Sequence, residues 1–495
     1  MSGRQLRVIG SRACLPQGYG EVPPKHFVRR RTPIASSARL AEPTCYHFAE
    51  MLIVAAIVAS TVSWSDVREL FSDEPAIRQA AIDRLREARD LSVMAGLNDV
   101  LYYHYAAGLP STANEIAALM ALLAGDSSGS NPRRSWAEWV GRHDEIEPQE
   151  GYVLFKRFVF ERYDRAFRGY FHPRFVFRIR PEEIEWGGVK KDGIPALDRP
   201  GFVPAHEATY LNDDERVFGV FHAGEAKAYP HRILDAHEMA NDVVGGRHVT
   251  LSYCTLCGSG ILFDGEHPSR EGKDPFTFGS SGLLYRSNKL MYDRPTNSLW
   301  NNLTGEPVVG RLAESGIRLE RRPLVVSTWG EWRKRHPTSL VLDIDGTGFD
   351  RDYSRSPYEE YFASDDTMFP VWLRDDSLRV KEWIFGLIVN GRPKAYPIEI
   401  LKSQRVVHDK LGGTSLVLVT NPDSGAVRAY EAGERQFVFG EDAGVLVEKG
   451  TGERWRVEEE ALVSTSGKTL PRLPGHNAFW FGWYAFFPTT DVHRP

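Results

Sequence analysis

Two cysteines separated by two residues are the side chains of this sequence best suited to chemistry. They are Cys254 and Cys257, and Gly258 follows them directly. Thiolates bind metal ions such as zinc, and two nearby thiols can also close a disulfide reversibly. The other two cysteines, Cys14 and Cys45, lie far away in the first fifty residues, and a chain this long does not need a disulfide framework. The pair therefore predicts a site rather than a structural cross-link.

The first hypothesis for the cysteine pair is a metal site. A tight turn can point both sulfurs at one ion, and the glycine after the second cysteine suits a left-handed turn residue. A zinc-like ion takes about four ligands, so two thiolates leave two to be found. We predict a transition-metal ion, zinc or copper, with His237 as the third ligand; the other candidate ligands nearby are His222, His231 and His248.

The second hypothesis is a redox dithiol. Residues 249–253 and 258–263 have the alternation of strands, so the pair lies on a predicted strand–turn–strand rather than at a helix N-terminus. Without a helix dipole, the thiolate would need a neighbouring cation, such as Arg286. The remaining alternatives are two buried cysteines with no chemical role, and a non-catalytic ligand-binding or assembly module.

Polar residues on both sides of the pair are candidates for an enzyme site. If the segment from His237 to Asp242 is helical, His237 and Asn241 share one face, four residues apart. Further on, Arg286 and Asp293 alternate with apolar residues, as in strands with one polar face. We predict that His237, Asn241, Arg286 and Asp293 act in catalysis, with Arg286 and Asp293 binding or orienting a small polar substrate.

The sequence contains an internal repeat. Residues 217–265 match residues 384–432 without a gap, 167 positions apart, and 14 of these 49 positions are identical. The match includes both Lys-Ala-Tyr-Pro segments, and two paired tryptophans recur later at a different offset. Residues shared by both copies are interpreted as scaffold. Cys254 and Cys257 correspond to Asn421 and Ser424, so the fold tolerates the loss of both thiols, and this favours a chemical role for them.

These patterns predict an α+β protein. Before residue 173 the apolar residues recur at helical spacing, and after it short β-branched and aromatic runs alternate with Gly and Pro. The predicted organisation is a disordered leader or over-extended gene start (1–64), a HEAT-like α-helical domain (65–172), and two homologous β-rich domains (173–345 and 346–495), of which the second is degenerate.

Composition narrows the classes of partner. The formal charge is −5 with no long run of one sign, which argues against a nucleic-acid surface. The apolar run at 51–59 is shorter than the roughly 20 residues of a membrane span, so we predict no integral membrane segment and favour a cytoplasmic location over export. The helical domain is a candidate surface for a protein partner.

The cysteine segment, together with Gly282-Leu-Leu-Tyr-Arg-Ser-Asn-Lys-Leu-Met-Tyr-Asp-Arg294 and Trp300, resembles a prokaryotic family known as domain of unknown function 3179. The resemblance runs from about Arg178 to Pro488, and the helical part resembles the HEAT-like leader of some members. It implies that the family's signature segments contain His237, Asn241, Cys254, Cys257, Arg286, Asp293 and Trp300. It implies no particular reaction.

Overall fold

A computed structural model describes residues 62–126, 131–270, 272–442 and 444–495, and over these residues the protein is α+β. Helices dominate the N-terminal part and sheets the rest. Residues 1–61 of the predicted leader (1–64), which include the apolar run at 51–59, Cys14 and Cys45, lie outside the described residues. Within the described ranges, no helix is long and apolar enough to span a bilayer.

Six α-helices lie in the N-terminal part of the described residues. They are α1 (Trp64–Glu69), α2 (Pro75–Ala88), α3 (Met94–Ala106), α4 (Pro110–Ala124), α5 (Pro132–Arg142) and α6 (Tyr152–Phe160). Three begin with proline, whose missing N–H costs nothing in a first helical turn. Helix α3 is buried on nearly all sides and contacts α4, α5 and α6. The predicted HEAT-like stack is not confirmed, because the helices gather around this central one.

The first β-rich half follows the helices. Its strands are β1 (Val176–Phe177), β2 (Ile184–Trp186), β3 (Leu197–Asp198), β4 (Phe202–Pro204), β5 (Arg216–His222), β6 (Glu225–Pro230), β7 (Met239–Val244), β8 (Arg247–Cys254), β9 (Ser259–Asp264), β10 (Phe278–Tyr285), β11 (Asn288–Asp293), β12 (Leu299–Asn301), β13 (Pro307–Gly310), β14 (Arg321–Arg322), β15 (Val325–Thr328) and β16 (Leu340–Leu342); its helices are α7 (His231–His237) and α8 (Trp329–Arg335). They form three sheets, ordered β1-β13-β12-β11-β10-β2, β14-β9-β8-β7-β3 and β15-β5-β6-β16-β4.

The second half contains fewer strands. They are β17 (Trp383–Val389), β18 (Arg392–Pro397), β19 (Val406–Leu411), β20 (Thr414–Thr420), β21 (Val427–Glu431), β22 (Phe437–Phe439), β23 (Val445–Glu448), β24 (Arg454–Val457), β25 (Ala461–Ser464), β26 (Thr469–Leu473), β27 (His476–Phe479) and β28 (Asp491–Val492). Helix α9 (Glu359–Phe362) lies in the segment between the two halves, and the second half has helices α10 (Ile398–Gln404) and α11 (Trp480–Tyr484). They form a four-stranded sheet and an eight-stranded one that begins β19-β20-β21-β26.

Strand registers repeat between the two halves. Val217 pairs with Pro230 in the first half, and Ile384 pairs with Pro397 in the second. The pairing of β7 with β8 likewise recurs in β19 and β20, again 167 positions later. Equivalent glycines lie against equivalent tryptophans, because a Cβ at Gly219 or at Gly386 would fall 2.3 or 2.2 Å from the ring of Trp332 or Trp483. Residues 217–265 and 384–432 therefore share one topology.

The hairpins that follow this shared unit are connected differently. In the first half, β10–β13 pair with β1 and β2 and lie against the N-terminal helices. In the second half, β22–β25 continue through β26 into the main sheet. A separate core cluster joins the halves, since Cys254 and Cys257 pack in it with Phe481 and Phe486. The cysteine turn consequently lies where the two halves meet.

Candidate functional site

The cysteine turn is built from β8, one 3-10 turn (Thr255–Cys257) and β9, which agrees with the predicted strand–turn–strand. Gly258 ends the turn at φ +60°, in the left-handed region that glycine adopts without strain. A Cβ at this position would also lie 2.3 Å from the ring of Trp383. A glycine at position 258 thus permits both the left-handed turn and the close contact with Trp383 of the second half.

The two sulfurs have different surroundings although both are fully buried. The Cys257 backbone N–H donates to Cys254 Sγ over 3.2 Å, and the Cys257 thiol donates to the Ser287 carbonyl over 3.4 Å. Burial raises the pKa of the Cys257 thiol well above its usual range, and the neighbouring Cys254 sulfur raises it further. Proton loss from Cys257 is therefore strongly disfavoured in the closed structure.

A buried ion pair lies beside the turn. Lys289 Nζ donates to the Glu238 carbonyl over 2.7 Å and lies 3.7 Å from its Oε2, and both side chains are almost inaccessible. Burial lowers the pKa of Lys289 below its usual value, and the nearby charges of Glu238 and of a Cys254 thiolate offset part of this lowering. Lys289 is thus a cation near Cys254 in addition to the predicted Arg286.

The segment between the two halves covers the turn. Tyr361 donates its hydroxyl to the Leu256 carbonyl over 2.9 Å, and Lys381 holds the backbone of Tyr361 with a hydrogen bond of 2.6 Å. From the second half, Gly482 approaches so closely that a Cβ there would lie 2.9 Å from Cys257 Sγ. These contacts close the sulfurs off from solvent.

His237 has both ring nitrogens engaged away from the thiols. Its Nδ1 donates to the Pro195 carbonyl over 2.9 Å, so its Nε2 accepts from the Tyr353 hydroxyl, 2.5 Å away. Burial lowers its pKa to about 4, which keeps the ring neutral at pH 7. The lone pair that a metal ion would need is therefore already used.

Asn241 does not share a helical face with His237, so that prediction was wrong. Glu238 adopts φ +60° and ends α7, and Asn241 lies in β7. Its amide nitrogen donates to Asp198 and to the Phe278 carbonyl, each over 2.8 Å, and its oxygen accepts from Thr250 and from a backbone N–H. Asn241 thereby connects its own strand, β7, to β3, β8 and β10.

Arg286 lies in the turn between β10 and β11, and Asp293 is the last residue of β11. Arg286 contacts Glu183 through two nitrogens, at 2.9 and 3.2 Å, and lies over the ring of Trp372. Asp293 accepts from Thr296 and Ser298 in its own turn and from Trp300 Nε1 over 2.9 Å. The structure thus brings Cys254 and Cys257 together, while His237, Asn241, Arg286 and Asp293 contact other partners around them.

The described residues do not provide a set of ligands for a four-coordinate metal ion. Among them, no group of three or more His, Cys, Asp or Glu side chains is arranged to hold one. The two thiols supply two sulfur ligands, and His237 has no free lone pair. The residues present fit a dithiol better than a closed zinc site.

Sequence analysis missed Glu238 and Lys289. Comparison of the two copies contained a signal for Glu238, because its counterpart at the offset of 167 is Arg405, of opposite charge. Both residues have a left-handed backbone, with φ of +60° and +64°, so the position is structurally equivalent. For Lys289 the gap in the repeat obscured any such comparison.

Comparisons with known proteins identify a family but no activity. No curated protein and no solved structure matches this chain. A family profile matches residues 191–490, more than half of the sequence and nearly all of both β-rich halves. The chain therefore belongs to the family described as "Protein of unknown function (DUF3179)".

Proposed function

We propose that Cys254 and Cys257 form a thiol–disulfide redox pair in which Cys254 reacts first. The observation that carries this proposal is the hydrogen bond from the Cys257 backbone N–H to Cys254 Sγ, 3.2 Å long. An N–H aimed at a sulfur stabilises its thiolate, as a capping donor does for any anion. Cys257, whose pKa is raised by burial, stays protonated while Cys254 attacks.

Lys289 supports the same assignment. Its ammonium is buried beside Cys254, and a buried positive charge favours the thiolate over the thiol. Glu238 balances this charge while Cys254 is protonated, which limits the cost of burying the lysine. The pair needs both residues, because a single buried charge without a partner would be strongly destabilising.

The reaction balances as two successive exchanges with an external disulfide. The Cys254 thiolate attacks one sulfur of that disulfide, whose S–S bond breaks and releases one thiolate. Cys257 then loses its proton and attacks the Cys254 sulfur of the mixed disulfide, releasing the second thiolate. Two electrons pass to the external disulfide, and two thiol protons leave the chain. Because both sulfurs are buried, the covering contacts of Tyr361 and Lys381 must open first.

We also infer that the two halves arose by duplication and that the redox role belongs to the first half alone. The shared registers and the recurrence of the glycine–tryptophan contact support the duplication. Three residues at the turn, Cys254, Cys257 and Glu238, differ in chemistry from their counterparts in the second half, which are Asn421, Ser424 and Arg405. On this proposal both halves have the same β-rich scaffold, and only the first half has the cysteine pair and its redox role.

Trapping of a mixed disulfide tests the order of attack. In a Cys14→Ser, Cys45→Ser background, oxidised glutathione is added to the folded protein, which is then acid-quenched and weighed by mass spectrometry. We expect Cys257→Ser to retain one glutathione and Cys254→Ser to retain none, because only Cys254 is activated. Adducts on both variants at equal rates, or on Cys254→Ser alone, would contradict the assigned order.

Metal analysis of the same background protein separates the dithiol from the metal hypothesis. The dithiol proposal predicts substoichiometric zinc and copper in protein purified without chelators. One equivalent of metal that disappears in Cys254→Ser would replace the redox proposal with a metal site.

A further inference from the structure

A cleft of about 620 Å³ lies between the two halves, away from the cysteine turn. Its apolar walls include Phe221 and Leu262 from the first half and Ile388 from the second. Five arginines line it, namely Arg247, Arg318, Arg321, Arg322 and Arg472, against two glutamates, Glu320 and Glu460. The cleft therefore combines an apolar surface with an excess of positive charge.

The carboxylates that line or adjoin the cleft form ion pairs with arginine side chains other than Arg321 or with a histidine. Asp264 contacts both Arg247 and Arg322, and Glu306 contacts Arg318. The two lining glutamates contact Arg322 and His222 respectively. No carboxylate of the described residues lies within 4.0 Å of the Arg321 guanidinium. The guanidinium donates its one hydrogen bond to the Leu303 carbonyl.

The second half has an arginine at the position equivalent to Arg321, and that arginine contacts a carboxylate. Arg321 in β14 pairs with Phe263 in β9, and Arg472 in β26 pairs with Tyr430 in β21. Tyr430 is the counterpart of Phe263, 167 positions later in the sequence. Arg472 is buried and meets the carboxylate of Glu459. Arg321, the equivalent arginine of the first half, lines the cleft and has no such carboxylate partner among the described residues.

We propose that the cleft binds a small organic carboxylate, whose carboxylate group contacts Arg321 and whose apolar body lies against Phe221, Leu262 and Ile388. A guanidinium can donate two parallel N–H bonds to a carboxylate, the geometry that gives arginine its preference for this group. Removal of the apolar body from water adds affinity. This site is independent of the redox proposal, since none of its lining residues belongs to the cysteine turn.

Calorimetric titration with 3-phenylpropionate and with the neutral 3-phenylpropan-1-ol tests the site. We expect wild-type protein to bind the acid at one equivalent and the alcohol at least tenfold more weakly. Arg321→Gln should weaken the acid at least tenfold, and Arg321→Lys should weaken it less. Arg333→Gln is the control, because Arg333 lies outside the cleft, is exposed and contacts Asp213; it should change the affinity less than twofold.

Three results would overturn the proposal. They are the absence of binding by the acid, equal affinity for acid and alcohol, and an unchanged affinity in folded Arg321→Gln. If Arg321→Gln does not fold, the comparison of acid with alcohol on wild-type protein still decides the question.

Discussion

The two β-rich halves place different atoms in the same turn. In the first half Cys254 Sγ accepts the N–H of the residue three positions on, and in the second half Asn421 Oδ1 accepts the N–H of Ser424, at 3.2 Å in both. The turn needs an acceptor at this position, and an amide oxygen serves as well as sulfur. The turn therefore forms without a thiol in the second half. The presence of Cys254 and Cys257 in the first half is explained by chemistry or by packing.

Burial separates the two turns further. Cys254 and Cys257 are fully buried, whereas Asn421 and Ser424 are partly exposed. The first turn is closed by the segment between the halves and by α11, which belongs to the second half. The second half therefore contributes a wall to the site of the first.

The largest expected contrast between the halves is in the pH dependence of stability at Asp235 and its counterpart Lys402. Asp235 is buried, and burial raises its pKa to about 7. A carboxyl with a pKa raised in the folded state favours folding fully below about pH 4 and loses that contribution as the pH rises to about 7. The loss amounts to at most about 4 kcal/mol.

Urea unfolding at pH 4.5, 6 and 7.5 measures this loss. Relative to Asp235→Asn, the wild-type protein should lose stability steadily across this range. Lys402 is partly exposed, so the free energy of unfolding of Lys402→Gln should change with pH in the same way as that of the wild type. Parallel curves for wild type and Asp235→Asn would show that Asp235 is not a buried acid in solution.

A second contrast concerns the glycine that ends each turn. Gly258→Ala should cost about 3 kcal/mol, because a left-handed backbone and a clash with Trp383 add together. Gly425→Ala should cost only about 1 kcal/mol, since its nearest neighbour is Ile398 at 3.4 Å. Thermal unfolding of the two variants compares them, and equal losses would contradict the close packing of the first turn against the second half.

The smallest contrast concerns two acidic residues that hold tryptophans. Asp293 accepts from Trp300 Nε1 at 2.9 Å, and Glu448 accepts from Trp455 Nε1 at 3.1 Å. Asp293→Asn should cost about 2 kcal/mol because several buried donors lose their acceptor, and Glu448→Gln about 1 kcal/mol. Urea unfolding measures both. A fall in thiol reactivity without any loss of stability in Asp293→Asn would restore the predicted catalytic role of Asp293.

Local patterns in the sequence were sufficient for much of the fold. The helical spacing before residue 173 agrees with helices α1–α6, and the repeat at 167 positions corresponds to matching strand registers. The left-handed turn at Gly258 also agrees with the structure. Each of these features depends on residues close together in the sequence or on a direct comparison of two segments.

The surroundings of the thiols depend on long-range contacts that local patterns do not contain. His237 and Asn241 were placed on one helix because nothing in the sequence showed that Glu238 would take a left-handed conformation. Lys289 reaches the turn from a strand 32 positions beyond Cys257, and Tyr361 reaches it from the segment between the halves. Only tertiary packing brings these side chains to the sulfurs.

A redox titration of the folded protein tests the central proposal most directly. In the Cys14→Ser, Cys45→Ser background, the fraction of Cys254–Cys257 disulfide is measured by alkylation and mass spectrometry across ratios of reduced to oxidised glutathione. The pair should convert in one reversible two-electron transition. Lys289→Met combined with Glu238→Gln, which leaves no unpaired buried charge, should favour the disulfide about tenfold, roughly 30 mV, because the thiolate loses its neighbouring cation. Both thiols staying reduced at every ratio, in protein that remains folded, would contradict the redox role.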